Sequence, residues 1–126
     1  MKKNLILIVS ILFGLMFINS GLNKFFGYMP MPEEMPEKMI TMMTGFGQIG
    51  WLMPLVAVVE ILGGLLIMIT MTRALGAVVI FPILVGIILT HAYTDPSGLM
   101  IPLVLLVIEI WILAENFRKY LPLIKD

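Results

Sequence analysis

Residues 51–71 read WLMPLVAVVEILGGLLIMITM. At about 1.5 Å rise per residue this stretch reaches roughly 30 Å as a helix, the thickness of the hydrocarbon core of a bilayer. Only Glu60, near the middle, is ionisable. The rest of the chain agrees with a membrane reading: 60% of the 126 residues are hydrophobic and 13% are charged. That balance excludes an ordinary soluble globular domain.

Three further spans flank this one. Residues 5–22 form an apolar run broken only by Ser10, Gly14, Asn19, Ser20 and Gly21. Lys2 and Lys3 ahead of it resemble the start of a secretory signal, but Ile18-Asn19-Ser20 is a poor small-x-small cleavage site, so a retained span is expected. After the Thr72-Arg73 break, residues 74–90 form the third span, with a kink expected between Val78 and Pro82 where proline frees a backbone carbonyl. Breaker residues in the stretch from His91 to Gly98 predict a turn, and residues 99–114 form the fourth span, with Pro102 in its first turn.

The connection from Asn23 to Gly50 is too polar to cross a membrane. Within it Met35, Met39, Met42, Met43 and Phe46 share a helical face, which predicts an interfacial helix over residues 35–46. Pro36 suits its first turn and Glu37 the positive end of its dipole, while Gly45 and Gly47 are expected to stop it. The fold class is therefore all-α: an integral membrane four-helix bundle, residues 1–126 in a single domain, with an interfacial helix between spans one and two.

Basic residues set the orientation. An inside N-terminus places Lys2, Lys3, Arg73, Arg118, Lys119 and Lys125 in the cytoplasm and only Lys24 and Lys38 outside, as the positive-inside rule favours. Both termini are then cytoplasmic, Trp51 and Tyr93 mark the outer interface and Tyr120 the inner one. Net charge is zero, so nothing points to nucleic acid. The absence of cysteine removes disulfides, thiolate metal sites and dithiol relays.

A charged side chain at mid-membrane costs roughly 2.5–3.5 kcal/mol on insertion scales, so Glu60 and Glu109 each need a partner or a proton. Lys24, at the top of span one, has a stem long enough to snorkel toward Glu60. Asn19 and Asn23 are one helical turn apart and share a broad face with Lys24; His91 ends span three on the same side. Asn23, Lys24, Glu60 and His91, with Asn19, are expected to line one outward-facing polar pocket. The plainer reading, interhelical hydrogen bonds worth about 0.6 kcal/mol each, is preferred for Asn19 and Ser20. It is at least as good for Glu109. For Glu60 it is not, since an amide or hydroxyl would serve as glue at lower cost. Asp95 opens a turn sequence.

The methionines at 29, 31, 35, 39, 42 and 43 would suit copper(I), which takes thioether ligands. Their helical spacing is already that of an apolar face on lipid, so no metal site is assigned. No phosphate loop, catalytic triad or metalloprotease signature is present.

Taken in order, several short segments resemble the DoxX and DoxX-like family of small prokaryotic membrane proteins. They are Gly14 followed by Ser20-Gly21-Leu22-Asn23-Lys24-Phe25, then Glu60-Ile61-Leu62-Gly63-Gly64-Leu65-Leu66, Thr72-Arg73-Ala74-Leu75-Gly76, and His91. The resemblance implies a four-span plasma-membrane protein, with some members linked to thiosulfate:quinone oxidoreduction or to membrane oxidoreductase complexes. Lys24, Glu60, Arg73 and His91 match the family pattern. The Met-rich segment is a departure from it.

The function expected from these features is an accessory membrane subunit that binds a small hydrophobic ligand, with quinone the candidate cofactor. Its partners are the lipid bilayer and a membrane oxidoreductase component or further copies of the chain. One alternative is a quinone-linked oxidoreductase in which Glu60 and His91 pass protons. Another is a small proton-coupled transporter, although proteins resembling the small multidrug resistance family carry their essential acid in span one, which has none here.

Overall fold

The structure, a computed structural model, describes residues 2–29, 31 and 34–124; Lys125, counted in the orientation argument, lies outside them. Every regular element among the described residues is helical. Helix α1 covers Lys2–Phe26, α2 Glu37–Gln48, α3 Leu52–Met68, α4 Arg73–Thr94, α5 Met100–Glu115 and the single turn α6 Phe117–Tyr120. Short 3₁₀ turns occupy Thr70–Thr72, Pro96–Gly98 and Leu121–Leu123.

Helix α1 and the segment Thr70–Thr94 are each long and apolar enough to cross a bilayer alone. Helices α3 and α5 reach that length only with their neighbours, from which they bend by 91° (α2 to α3) and 72° (α5 to the segment Phe117–Leu123). At about 1.5 Å per residue α3 and α5 are themselves about 24–26 Å long, slightly less than a hydrocarbon core. The bends turn α2 and α6 across the bundle axis.

Helix α1 packs along α3, α3 along α4 and α4 along α5, with a lighter contact between α5 and α1. The core they enclose holds Phe13 and Phe17 from α1, Ile67 from α3, Ala77, Ile80 and Leu84 from α4 and Ile112 from α5. Large aliphatic side chains elsewhere on all four helices are exposed, as expected where the surrounding solvent is lipid.

Element ends differ from the sequence expectation in instructive ways. Helix α1 runs on to Phe26, where Gly27 at φ 61° donates its N–H to the Asn23 carbonyl at 2.7 Å, a glycine C-terminal stop. Helix α2 passes through Gly45 and Gly47 and ends at Gln48. A glycine costs a helix only about 1 kcal/mol relative to alanine, too little to stop it where the Met35, Met39, Met42 and Phe46 stripe is half-buried. Met43, placed on that stripe by its spacing, is exposed.

Helix α3 stops at Met68, because Ile69 is extended. Thr72 Oγ1 then donates to the Leu66 carbonyl at 2.8 Å and secures the turn. Helix α4 is unbroken across Pro82. It also continues through His91 to Thr94, beyond the expected end. Thr90, His91 and Thr94 each hydrogen-bond the carbonyl four residues back, and Pro96 follows too late to stop the helix earlier.

Lys2 Nζ lies 3.1 Å from Glu115 and the Tyr120 hydroxyl donates to the Ala74 carbonyl at 2.8 Å. Those contacts bring the start of α1, the start of α4 and the end of α5 to one end of the bundle, with Lys2, Lys3, Arg73, Arg118 and Lys119. Lys38 of α2 lies 5.4 Å from the centre of the Tyr93 ring at the other end.

Candidate ligand-binding site

The site is built on the α1/α3 contact. A Cβ on Gly14 would collide with the Gly64 carbonyl, one on Gly64 would come within 2.5 Å of the Gly14 carbonyl, and one on Gly21 within 2.6 Å of the Ala57 carbonyl. Backbones this close are the signature of small-residue packing in membranes. Ala57 and Gly64 lie three residues before and four after Glu60, on its own face of α3. The contact that lets α1 approach therefore also turns the carboxylate toward α1.

Helix α1 and α3 run antiparallel, and side chains lean toward the N-terminus of their own helix. Lys24 consequently leans down into the bundle while Glu60 leans up toward the Lys24 end. They meet with Nζ 2.6 Å from Oε1. Glu60 is fully enclosed, and the Lys24 side chain is 22% exposed, so the ammonium links a buried charge to the bundle's edge. Lys24 Nζ also donates to Ser20 Oγ at 3.0 Å. Glu60 Oε2 has no hydrogen-bond partner among the described residues.

The remaining expected pocket residues divide. Asn23 Oδ1 accepts the Met29 N–H at 2.8 Å, and Tyr28 donates its hydroxyl to Asn19 through both the backbone carbonyl and Oδ1. Both asparagines thus fold the chain after α1 back onto the helix end; Asn23 is one residue from the ammonium but its acceptor is already used. Ser20, expected to join helices, instead orients Lys24 on its own helix. The Ser20–Lys24 spacing of four was the available signal for that.

His91 is not brought to Glu60. In the α3/α4 register Gly63 faces Ile80 and Gly76 faces Ile67. Extending that antiparallel register places His91 opposite Leu52, about 12 Å along the axis from Glu60. Its Nδ1 is 2.9 Å from the Ile87 carbonyl, and its ring lies against Gly98. Because α4 extends past residue 90, His91 sits in the last helical turn and packs on the following turn. The expected pocket is in this respect corrected: its centre is the Lys24–Glu60 pair, enclosed rather than open.

A second set of buried polar groups escaped the sequence reading as a set. Arg73 is 5% exposed, with Nε donating to the Ile67 carbonyl at 2.9 Å and Nη2 without a partner among the described residues. Ser10 and Glu109 are fully buried, and neither the hydroxyl nor either carboxylate oxygen has a partner among the described residues. The interhelical hydrogen bond expected of Glu109 is therefore not formed there. No group of three metal-ligating His, Cys, Asp or Glu side chains occurs among the described residues.

The pattern of the DoxX family matches residues 5–92, which takes in α1 from Leu5 onward, α2, α3 and α4 as far as Ala92. The chain belongs to the DoxX family. Both members of the buried ion pair, the glycines that position it, Arg73 and His91 all fall inside the matched region of this DoxX protein. No curated protein and no solved structure matches the chain.

Proposed function

We propose that this DoxX protein is a ligand-binding accessory subunit of a membrane oxidoreductase system, and that Lys24 and Glu60 hold the polar head of a small hydrophobic ligand of the quinone class. The observation that carries this reading is the buried carboxylate 2.6 Å from an ammonium, with its second oxygen unpartnered among the described residues. An ion pair inside a membrane is costly where apolar packing would hold helices together equally well, so its retention is a sign of use. A quinone carbonyl accepts from the Lys24 ammonium, while a quinol hydroxyl donates to the free Glu60 oxygen. Asn23 shapes the rim beside Lys24, and His91 stands at the same end of the bundle as a separate contact.

No side chain of this site has redox chemistry of its own, which favours an accessory or carrier role over an enzyme. The orientation proposed is that of the basic residues, with both termini in the cytoplasm of a prokaryotic cell and the enclosed pair in the outer half of the bilayer. Quenching of tryptophan fluorescence by a short-chain ubiquinone or menaquinone analogue, with the protein in nanodiscs, tests the reading. Saturable binding by the wild type, lost in Lys24→Met and Glu60→Gln variants that remain folded, is expected. Equal quenching by the wild type and both variants would remove it.

A further inference from the structure

The end of the bundle that carries the termini has a feature the Lys24–Glu60 site does not use. Helix α5 breaks at Asn116, and the segment Phe117–Leu123 turns by 72° from its axis. Between this segment and α4 lies an almost wholly apolar groove of about 520 Å³, lined by Val78, Ile110, Leu113, Phe117, Tyr120 and Leu123 among others. That volume is in the range of small-molecule sites, about 300–1,000 Å³. Its floor is fixed by the Tyr120 hydroxyl bonded to the Ala74 carbonyl.

The single turn α6 has two faces. Phe117 and Tyr120 enter the groove, while Arg118 and Lys119 between them are exposed. Phe117, Leu123 and Ile124 are more than half exposed, an apolar surface that water does not favour and that fits the boundary between headgroups and acyl chains. The charge at this rim is one-sided. Glu115 is taken by Lys2 at 3.1 Å and Arg73 turns inward to the Ile67 carbonyl. Among the described residues Lys3, Arg118 and Lys119 make no ion pair there.

We infer that this groove and the Arg118–Lys119 pair form a binding site for an anionic phospholipid, one acyl chain lying against Val78, Ile110 and Phe117 and the phosphate held by the two basic side chains. Apolar groove and basic rim sit on the same bent segment, so a lipid that occupies one is placed to use the other. Zwitterionic lipids fill the groove equally well but gain less at the rim. Each basic side chain near an anionic headgroup contributes about a fivefold preference. The site holds the C-terminal segment down on α4 and does not depend on the quinone reading.

Native mass spectrometry of the full chain, released from micelles containing equal phosphatidylglycerol and phosphatidylcholine of identical acyl chains, tests the inference. Phosphatidylglycerol is expected to be retained about 25-fold over phosphatidylcholine, fivefold for each of the two basic side chains. Arg118→Gln with Lys119→Gln brings the two lipids to parity and leaves phosphatidylcholine retention unchanged. Ile110→Trp, at an exposed lining position, lowers retention of both lipids, while Lys3→Gln keeps the preference. Equal retention by the wild type, a preference surviving the double neutralisation, a preference lost in Lys3→Gln, or undiminished retention in Ile110→Trp would each overturn it.

Discussion

Replacing Lys24 by Met removes the ammonium from a carboxylate that is fully enclosed. Methionine keeps most of the stem that runs along α1, so packing changes little and the electrostatic loss is isolated. Breaking a buried ion pair by deleting one partner typically costs about 3–5 kcal/mol, because the remaining charge is left uncompensated. The Lys24 side chain is 22% exposed, and water reaching its place softens the loss, so the lower end, about 3 kcal/mol, is expected. Ser20 Oγ accepts from the ammonium at 3.0 Å and, among the described residues, is hydrogen-bonded to neither Glu60 oxygen. The double variant Lys24→Met/Glu60→Leu removes both charges and should recover to within about 1 kcal/mol of the wild type, since a buried pair is often no better than apolar residues of similar volume. Equilibrium unfolding in mixed dodecylmaltoside and sodium dodecyl sulfate micelles measures all three proteins. A single variant as stable as wild type, or a double variant as damaged as the single, would refute the argument that Glu60 is charged and held by Lys24.

Glu109 offers the opposite case, a buried carboxyl with neither oxygen partnered among the described residues: Glu109→Leu should stabilise the protein by about 1–3 kcal/mol in the same assay, and a loss of more than 1 kcal/mol would reveal a partner. Gly14→Ala places a methyl group against the Gly64 carbonyl and should cost about 2 kcal/mol or more through strain, with quinone binding falling alongside it. Gly86→Ala, where nothing lies within 4 Å of the new carbon, should instead gain up to about 1 kcal/mol; equal effects at the two glycines would contradict the close α1/α3 approach. Tyr120→Phe strips the Ala74 carbonyl of its donor and should cost about 1 kcal/mol, with faster proteolysis of the C-terminal segment as a second readout.

Much of this architecture is legible residue by residue. Helices were readable because a segment that must satisfy its own backbone in lipid needs a long apolar run, and α3, Leu52–Met68, fills most of residues 51–71. Helix α2 was readable from the period of Met35, Met39, Met42 and Phe46. Terminal details were not, because they depend on local bonds that compete with propensity: Thr90, His91 and Thr94 bonding back along α4 carried that helix four residues further than its composition suggested.

The sequence by itself determined that the chain lives in a membrane, which residues are costly there and that Lys24 has the reach to meet Glu60. Only the tertiary structure decided that they do meet, that His91 does not join them and that Ser10, Arg73 and Glu109 are buried. The physical reason is that an α-helix fixes which residues share a face, but not its rotation or vertical register against another helix. Those were set by where Gly14, Gly21, Ala57 and Gly64 allow two backbones to touch, and by how Gly63 and Gly76 seat α4 on α3.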